Sequence, residues 1–280
     1  MTVPGQRPDA LKNSCSTAVF MVCRRQSVKN GHSNRALQPG IFAGGIAAGQ
    51  GQYLLDERLS LLLEMAPRCR GAADIGTDHG LLICALVESG KAGRGIACDL
   101  NAMPLQKARE EIARRGLTER IRTLQTDGLT GLGPDDFELA VIAGMGGELI
   151  AKILSDWPHA KSPGITYLLQ PMTRPEHLRG WLWREGFSIG PERCCRAAGH
   201  DYCAMLARYT GHVFIPEPWQ LYAGAVDPAD NAGQRYLAAV ALRLLHIAGA
   251  REAARGPDPE TARLRAAGLA ITKMLREAAL

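Results

Sequence analysis

The chain has 280 residues, 46% hydrophobic and 22% charged, which allows one large globular domain or one medium domain plus an appendage. No apolar run approaches the roughly 20 residues that a membrane helix needs, so a membrane protein is excluded and a cytoplasmic one expected. A net charge of +5, from 33 basic and 28 acidic residues, admits a nucleic-acid partner without requiring one.

Residues 1–50 are rich in Gly, Ser, Asn and Gln, lack apolar periodicity and contain Asp9 as their only acid. Such a segment cannot bury enough surface to offset its ordering entropy, so a disordered extension is expected. Its acid-poor character fits a transit peptide or a start placed upstream of the folded domain.

Folded sequence begins near a helix at 54–66, which Pro67 stops. A first strand ends at Asp74-Ile75-Gly76, and a helix follows from Leu81 to Ser89. A second strand covers Gly95–Asp99 and an amphipathic helix 102–115. Strands are predicted at Ile121–Gln125, Phe137–Ala143 and Ile165–Gln170, with helices at Gly147–Leu154 and 174–185. Strands alternating with helices predict a parallel sheet with right-handed crossovers. The rhythm then changes, because Phe187–Ile189 and Tyr202–Tyr209 read as strands with no helix between them and can pair antiparallel. Parallel strands closed by such a pair describe the α/β sheet of class I methyltransferases.

In the tail, 229–280, Leu237, Val240, Leu244 and Ile247 are spaced 3-4-3, as are Leu264, Ala267, Ile271 and Met274. Gly256-Pro257-Asp258-Pro259 breaks the run, which predicts two antiparallel helices with coiled-coil-like seams. The tail carries Arg235, Arg243, Arg251, Arg255, Arg263, Arg265, Lys273 and Arg276 against five acids. These are either solvated charges on a structural lid or contacts to a phosphate backbone. The expected domains are thus an extension (1–50), a methyltransferase domain (51–215) and a helical coiled-coil domain (216–280).

In an open parallel sheet, ligands sit beyond the carboxyl ends of the strands. Here the first strand's end carries Asp74, Gly76, Thr77, Asp78, His79 and Gly80, one glycine short of G-x-G-x-x-G because Asp78 holds the middle place. Gly76 permits a tight turn and a close approach to the backbone, and the loop amides with the following helix start favour an anion. A pyrophosphate is ill-placed beside two added carboxylates. S-adenosylmethionine, with an amino group, a carboxylate and a sulfonium cation, suits Asp74 and Asp78 through its positive groups and the amides through its carboxylate. Asp99 follows Gly76 by 23 positions, close to the roughly 20-residue offset of a ribose-binding acid. Asp127-Gly128, after the third strand, is placed either to take the adenine amine or to cap a turn. His79 stands either against the cofactor or in support of the loop.

The stretch Ala143-Gly144-Met145-Gly146-Gly147, after the fourth strand, lacks the acid and aromatic that many amino-methylating enzymes carry there. Its glycines form either a backbone-walled floor for a base or a turn that needs positive φ. Gln170, at the next strand end, and Tyr202 are candidates to orient the acceptor, and Asp78 is the candidate polar group nearest the reacting centre. The eight cysteines form no metal-type C-x-x-C pair, and Cys84, Cys98 and Cys203 lie in apolar runs. Reduced thiols and no metal site are expected.

The stretches A-D-I-G-T-D-H-G, C-D-L-N-A-M-P-L-Q-K-A, T-D-G-L, I-A-G-M-G-G-E-L-I-A-K-I-L and L-L-Q-P-M together resemble the bacterial tRNA (adenine-22-N1)-methyltransferases of the TrmK type. The likeness runs from about Leu54 through Tyr209 and continues loosely into the tail. It implies a Rossmann-like S-adenosylmethionine domain followed by a helical coiled-coil domain, with tRNA as partner and adenine N1 as acceptor. It carries the cofactor role onto Asp74, Gly76, Thr77, Asp78, His79, Gly80, Asp99, Leu100, Asp127, Gly128, Ala143 and Gly144. Family members often have Ala-Tyr after the His where this chain has Gly80-Leu81, which removes an aromatic from the pocket. Residues 1–50 have no counterpart in the family pattern.

Overall fold

The computed structural model describes residues 55–280; the extension expected over residues 1–50 lies outside them. Helix α1 (Glu57–Met65) opens on Asp56, whose carboxylate accepts from the Leu59 amide at 2.8 Å. Strand β1 (Cys69–Ile75), α2 (Leu81–Glu88), β2 (Ala92–Asp99), α3 (Ala102–Arg114) and β3 (Ile121–Gln125) follow in alternation. Then come β4 (Leu139–Gly146), α4 (Gly147–Asp156), β5 (Thr166–Thr173) and α5 (Pro175–Arg184). Strands β6 (Phe187–Ala197) and β7 (His200–Tyr209) form a hairpin, and α6 (Pro218–Ala223), α7 (Asn231–Arg255) and α8 (Pro259–Ala278) complete the chain.

All seven strands share one sheet in the order β3-β2-β1-β4-β5-β7-β6. β1 to β5 run parallel, while β7 is antiparallel to both β5 and β6. This is the expected Rossmann-like sheet with its terminal antiparallel pair. Both of its faces are covered, and alternate strand residues serve opposite sides. Ala73, Ile75, Ile142 and Leu169 pack with Ile150 and Leu154 of α4 and Leu178 of α5. Ala72, Ala97, Val141 and Leu168 pack with Leu62 of α1, Leu82 and Leu86 of α2 and Ile112 of α3.

The two tail helices form as predicted, broken at Gly256 and restarted by Asp258, whose carboxylate caps α8 through the Glu260 and Thr261 amides. Their seam uses Leu237, Val240, Ala241, Leu244, Ala267 and Ile271. Ile247 is only half-buried, and Ala248 takes the inward place beside it. The seam also meets Cys194 of β6, Cys203 of β7 and Ala223 of α6, so its core extends across the boundary expected at residue 215. β6 is longer than the predicted Phe187–Ile189, because its partner β7 carries the pairing on to Ala197↔His200. Helix α6 was not among the predicted elements. Its sign is Glu217-Pro218-Trp219-Gln220, where Pro occupies the first turn and Gln220 Oε1 accepts from the Glu217 amide at 2.7 Å.

Candidate active site

The strand registers bring the predicted residues to one edge. Ile75 is level with Cys98 and Ile142, Asp99 with Gln125, and Ala143 with Gln170. Asp99, Gly76, Ala143 and Gln170 therefore follow one another across the carboxyl rim, with Asp127 just beyond the end of β3.

Asp74 is buried, and its carboxylate accepts from the Thr77 hydroxyl at 2.7 Å. Burial pushes its pKa up to about 6; the Thr77 bond opposes this, and the neighbouring Asp78 and Asp99 carboxylates add to it. Among the described residues no Lys or Arg forms an ion pair with Asp74, Asp78 or Asp99. Asp78 is exposed and lies 3.1 Å from His79 Nε2. His79 itself sits at φ +59, in the left-handed region that His enters more often than most side chains. The Asp99 carboxylate accepts from the Asn101 amide at 2.7 Å. The turn at Asp127 is closed by its backbone carbonyl, which accepts from Thr130, and its exposed carboxylate makes no hydrogen bond to a described residue. Leu100 is exposed at the same edge.

Several roles differ from the expectation. The Gly76 and Thr77 amides both donate to the Cys98 carbonyl at 2.8 Å, so they tie β1 to β2 and do not face an anion. Gly76 leaves room, but for Met145: a Cβ added there would lie 2.2 Å from the Met145 methyl. Gly80, at φ +68, lets α3 close on the start of α2, since its added Cβ would lie 3.1 Å from that of Ala108. The Gly128 position packs in the same way against Ile153. Gly144–Gly146 are not a loop after the strand. They are the end of β4, with register shifts on either side of Met145 against β5, a bulge of the kind that re-aims side chains.

Gln170, expected to orient an acceptor, has its amide engaged within the sheet. It is buried, its Oε1 accepts from the Gly144 amide at 3.2 Å and its Nε2 donates to the Pro171 carbonyl at 3.2 Å. The oxygen end holds the β4 bulge, and the nitrogen end is turned back onto β5 itself. Tyr202 is half-buried near the same edge, with the Arg58 guanidinium 5.5 Å over its ring. Arg58 was not anticipated, for nothing local in α1 signals a partner in β7. Gly147 is obligatory for a packing reason, since an added Cβ would fall 2.4 Å from the Arg174 carbonyl.

A rim carboxylate raised first by burial and then by like charges, with no Lys or Arg partner, is a site suited to a cationic ligand. The sheet and this rim define a class, and a family model described as "Methyltransferase domain" matches residues 55–205. The chain belongs to that methyltransferase family. More particularly, it is similar to the tRNA (adenine(22)-N(1))-methyltransferase of Bacillus subtilis, 33% identical over 153 residues, which are 55% of this chain and 64% of that protein. The match thus spans just under two thirds of the relative's length. Streptococcus pneumoniae Sp1610, solved in complex with S-adenosyl-L-methionine, is 26% identical, with a TM-score of 0.66 over 79% of this chain and 100% of that one. The B. subtilis m1A22 tRNA methyltransferase TrmK shares the fold, with a TM-score of 0.67 over 81% of this chain and 99% of that one, at 22% identity.

Among the described residues no helix is long and apolar enough to cross a membrane, and no cluster of His, Cys, Asp and Glu is arranged to hold a metal ion.

Proposed function

We propose that the protein transfers the methyl group of S-adenosyl-L-methionine to N1 of an adenine in tRNA, at position 22 by its likeness to the B. subtilis relative, and acts in the cytoplasm. The observation that carries this reading is the unneutralised acidic rim, Asp74, Asp78 and Asp99, at adjoining strand ends. Such a rim repels a diphosphate and attracts an ammonium or sulfonium group. When bound, the cofactor supplies an electrophilic methyl.

The chain's own part is placement. In this reading Asp74 and Asp78 meet the positive groups of the donor, Asp99 the ribose hydroxyls and the exposed Asp127 carboxylate the adenine amine. Neutral adenine keeps a lone pair at N1, so no strong base is required, and alignment is the main contribution. N1 is on the Watson–Crick edge, so the base must be unpaired or turned out of its stack. The bulge at Gly144–Gly146, locked by Gln170, gives a narrow backbone wall beside Met145 on the acceptor side. On the same reading the carboxylate of Asp78, on the neighbouring strand end, helps the site tolerate the charge of the methylated base.

The test is incubation of the full chain with labelled S-adenosyl-L-methionine and unmodified tRNA transcripts, followed by nucleoside analysis. Label in 1-methyladenosine that vanishes when the base at position 22 is changed supports the reading. Label in another nucleoside, or in no RNA, overturns it.

A further inference from the structure

Two buried side-chain polar atoms, and only two among the described residues, lack a hydrogen-bond partner: Glu176 Oε2 and Tyr236 Oη. Arg179 lies beside the Tyr236 hydroxyl as both a charge and a hydrogen-bonding neighbour, so Glu176 Oε2 is the atom left wanting a partner. Native proteins pair nearly all such atoms, so each exception calls for a partner. Both belong to residues lining the same cleft, of about 460 Å³, between the end of β5, the start of α5, the β6–β7 hairpin and α7. That is within the size of small-ligand sites, roughly 300–1,000 Å³. The cleft holds none of the cofactor-rim residues. It starts at Pro171–Thr173, which pair with Met145 and Gly146 of the β4 bulge, so it adjoins the acceptor side of the rim.

The lining has the chemistry of one nucleotide. Tyr202 offers a ring. Arg174 and Arg243 are exposed cations; Arg174 pairs with Glu148, and Arg243 has no ion pair among the described residues. Of the two acids on the wall, Glu176 and Asp201, the latter is balanced by Arg196 and Arg235. A carboxylate accepts hydrogen bonds and donates none, so Glu176 asks for an N–H. We infer that this cleft binds a second nucleotide of the RNA substrate, next to the methylated adenine, with Glu176 accepting from an N–H of its base. Arg243 and Arg174 take its phosphate, and Tyr202 provides the stacking surface. The inference rests on the proposed RNA methyl transfer and adds a residue that holds the flanking base.

The experiment has two arms on the full chain. In the first, calorimetry measures AMP, CMP and ribose 5-phosphate binding with the donor site saturated by S-adenosyl-L-homocysteine. AMP and CMP, whose bases carry N–H donors, should bind more tightly than ribose 5-phosphate, and that difference should shrink in Glu176→Gln. Equal binding of the three, or none at millimolar concentration, overturns the inference and assigns the cleft to water. In the second arm, Glu176→Gln and Arg243→Ala should each raise KM for tRNA about tenfold, the worth of one charge-assisted bond. The kcat, the cofactor affinity and the melting temperature should hold. An unchanged KM in both variants also overturns it. If the unaltered protein methylates no RNA, the underlying reading falls, and the nucleotide arm decides the cleft by itself.

Discussion

Two regions of this molecule bury charge in opposite ways. At the carboxyl rim, Asp74 lies buried beside Asp78 and Asp99 with no Lys or Arg in reach of an ion pair. On the other side of the sheet, Arg179 of α5 and Glu192 of β6 are both fully buried and pair at 2.6 Å. There Arg179 also donates to the Leu221 and Tyr222 carbonyls of α6, and Glu192 accepts from the Ala225 amide. The second arrangement is closed, since each partner stays inside the chain. The first is open, and the free energy it lacks is what a positively charged ligand can return. Burial of charge therefore separates a joint that holds the tail helices from a site that waits for a partner.

The largest effect should come from breaking the closed joint. Replacing Glu192 by Ala strands a buried guanidinium, which should cost about 3–5 kcal/mol in urea unfolding. Gly224→Ala should act similarly, because it sits at φ +60 and its Cβ would fall 2.1 Å from Glu192 Oε1. A Glu192→Ala protein as stable as its parent would remove the joint from the argument.

The open site should show its strain in pH. The Asp74 carboxyl is ordinarily at 3.8 and is raised to about 6 in the fold. Between those values the folded protein binds the proton more tightly than the unfolded chain does, so stability falls as pH rises from about 4 to 6 and levels off above. The full loss is about 3 kcal/mol, measured on the cofactor-free protein, and Asp74→Asn should abolish this slope. Cofactor affinity should move the other way, rising by about tenfold as Asp74 ionises and its charge meets the donor's positive groups. A flat stability profile from pH 4 to 6 in the parent would mean that Asp74 is not under strain.

Much of this contrast could be read before any coordinates. Alternation of apolar runs with amphipathic segments gave the parallel sheet, and acids at strand ends marked the rim, since both signals are local in sequence. What escaped reading was pairing at a distance. Gln170 looks like a polar group offered at a strand end, and only the bulge in β4 makes it a clamp for Gly144. Gly76 looks like room for a ligand, and only the turn of Met145 fills that room from the next strand. Arg179 and Glu192 are unremarkable charges in an amphipathic helix and an edge strand. Their burial follows from α6 folding over them, an element whose only sign was the Glu217-Pro218-x-Gln220 box.

Smaller effects should sharpen the rim itself. Asp99 is half-buried with its carboxylate on the Asn101 amide. Asp99→Ala should weaken S-adenosyl-L-methionine binding about tenfold in calorimetry, the worth of one hydrogen bond to a charged group, with no change in unfolding midpoint beyond about 0.5 kcal/mol. An unchanged affinity would take Asp99 out of the site.

The smallest effects belong to the tail. Deleting it is a poor test of RNA contact, because Leu237, Val240 and Ile271 share a buried cluster with Cys194 and Cys203 of the sheet, and removal would expose that core. Charge neutralisation on the surface is cleaner. Arg255, Arg263 and Arg276 are exposed and form no ion pair among the described residues, whereas Arg251 and Arg265 are engaged by Glu260 and Glu252. If the tail meets the phosphate backbone, replacing each of the three by Gln should weaken tRNA binding and lower the slope of log affinity against log salt by roughly 0.7–0.9. The already paired Arg251 and Arg265 should contribute less, because they must leave a carboxylate to reach a phosphate. Slopes that stay the same in all three variants would return the tail to the role that its buried seam supports on its own, a brace against β6 and β7.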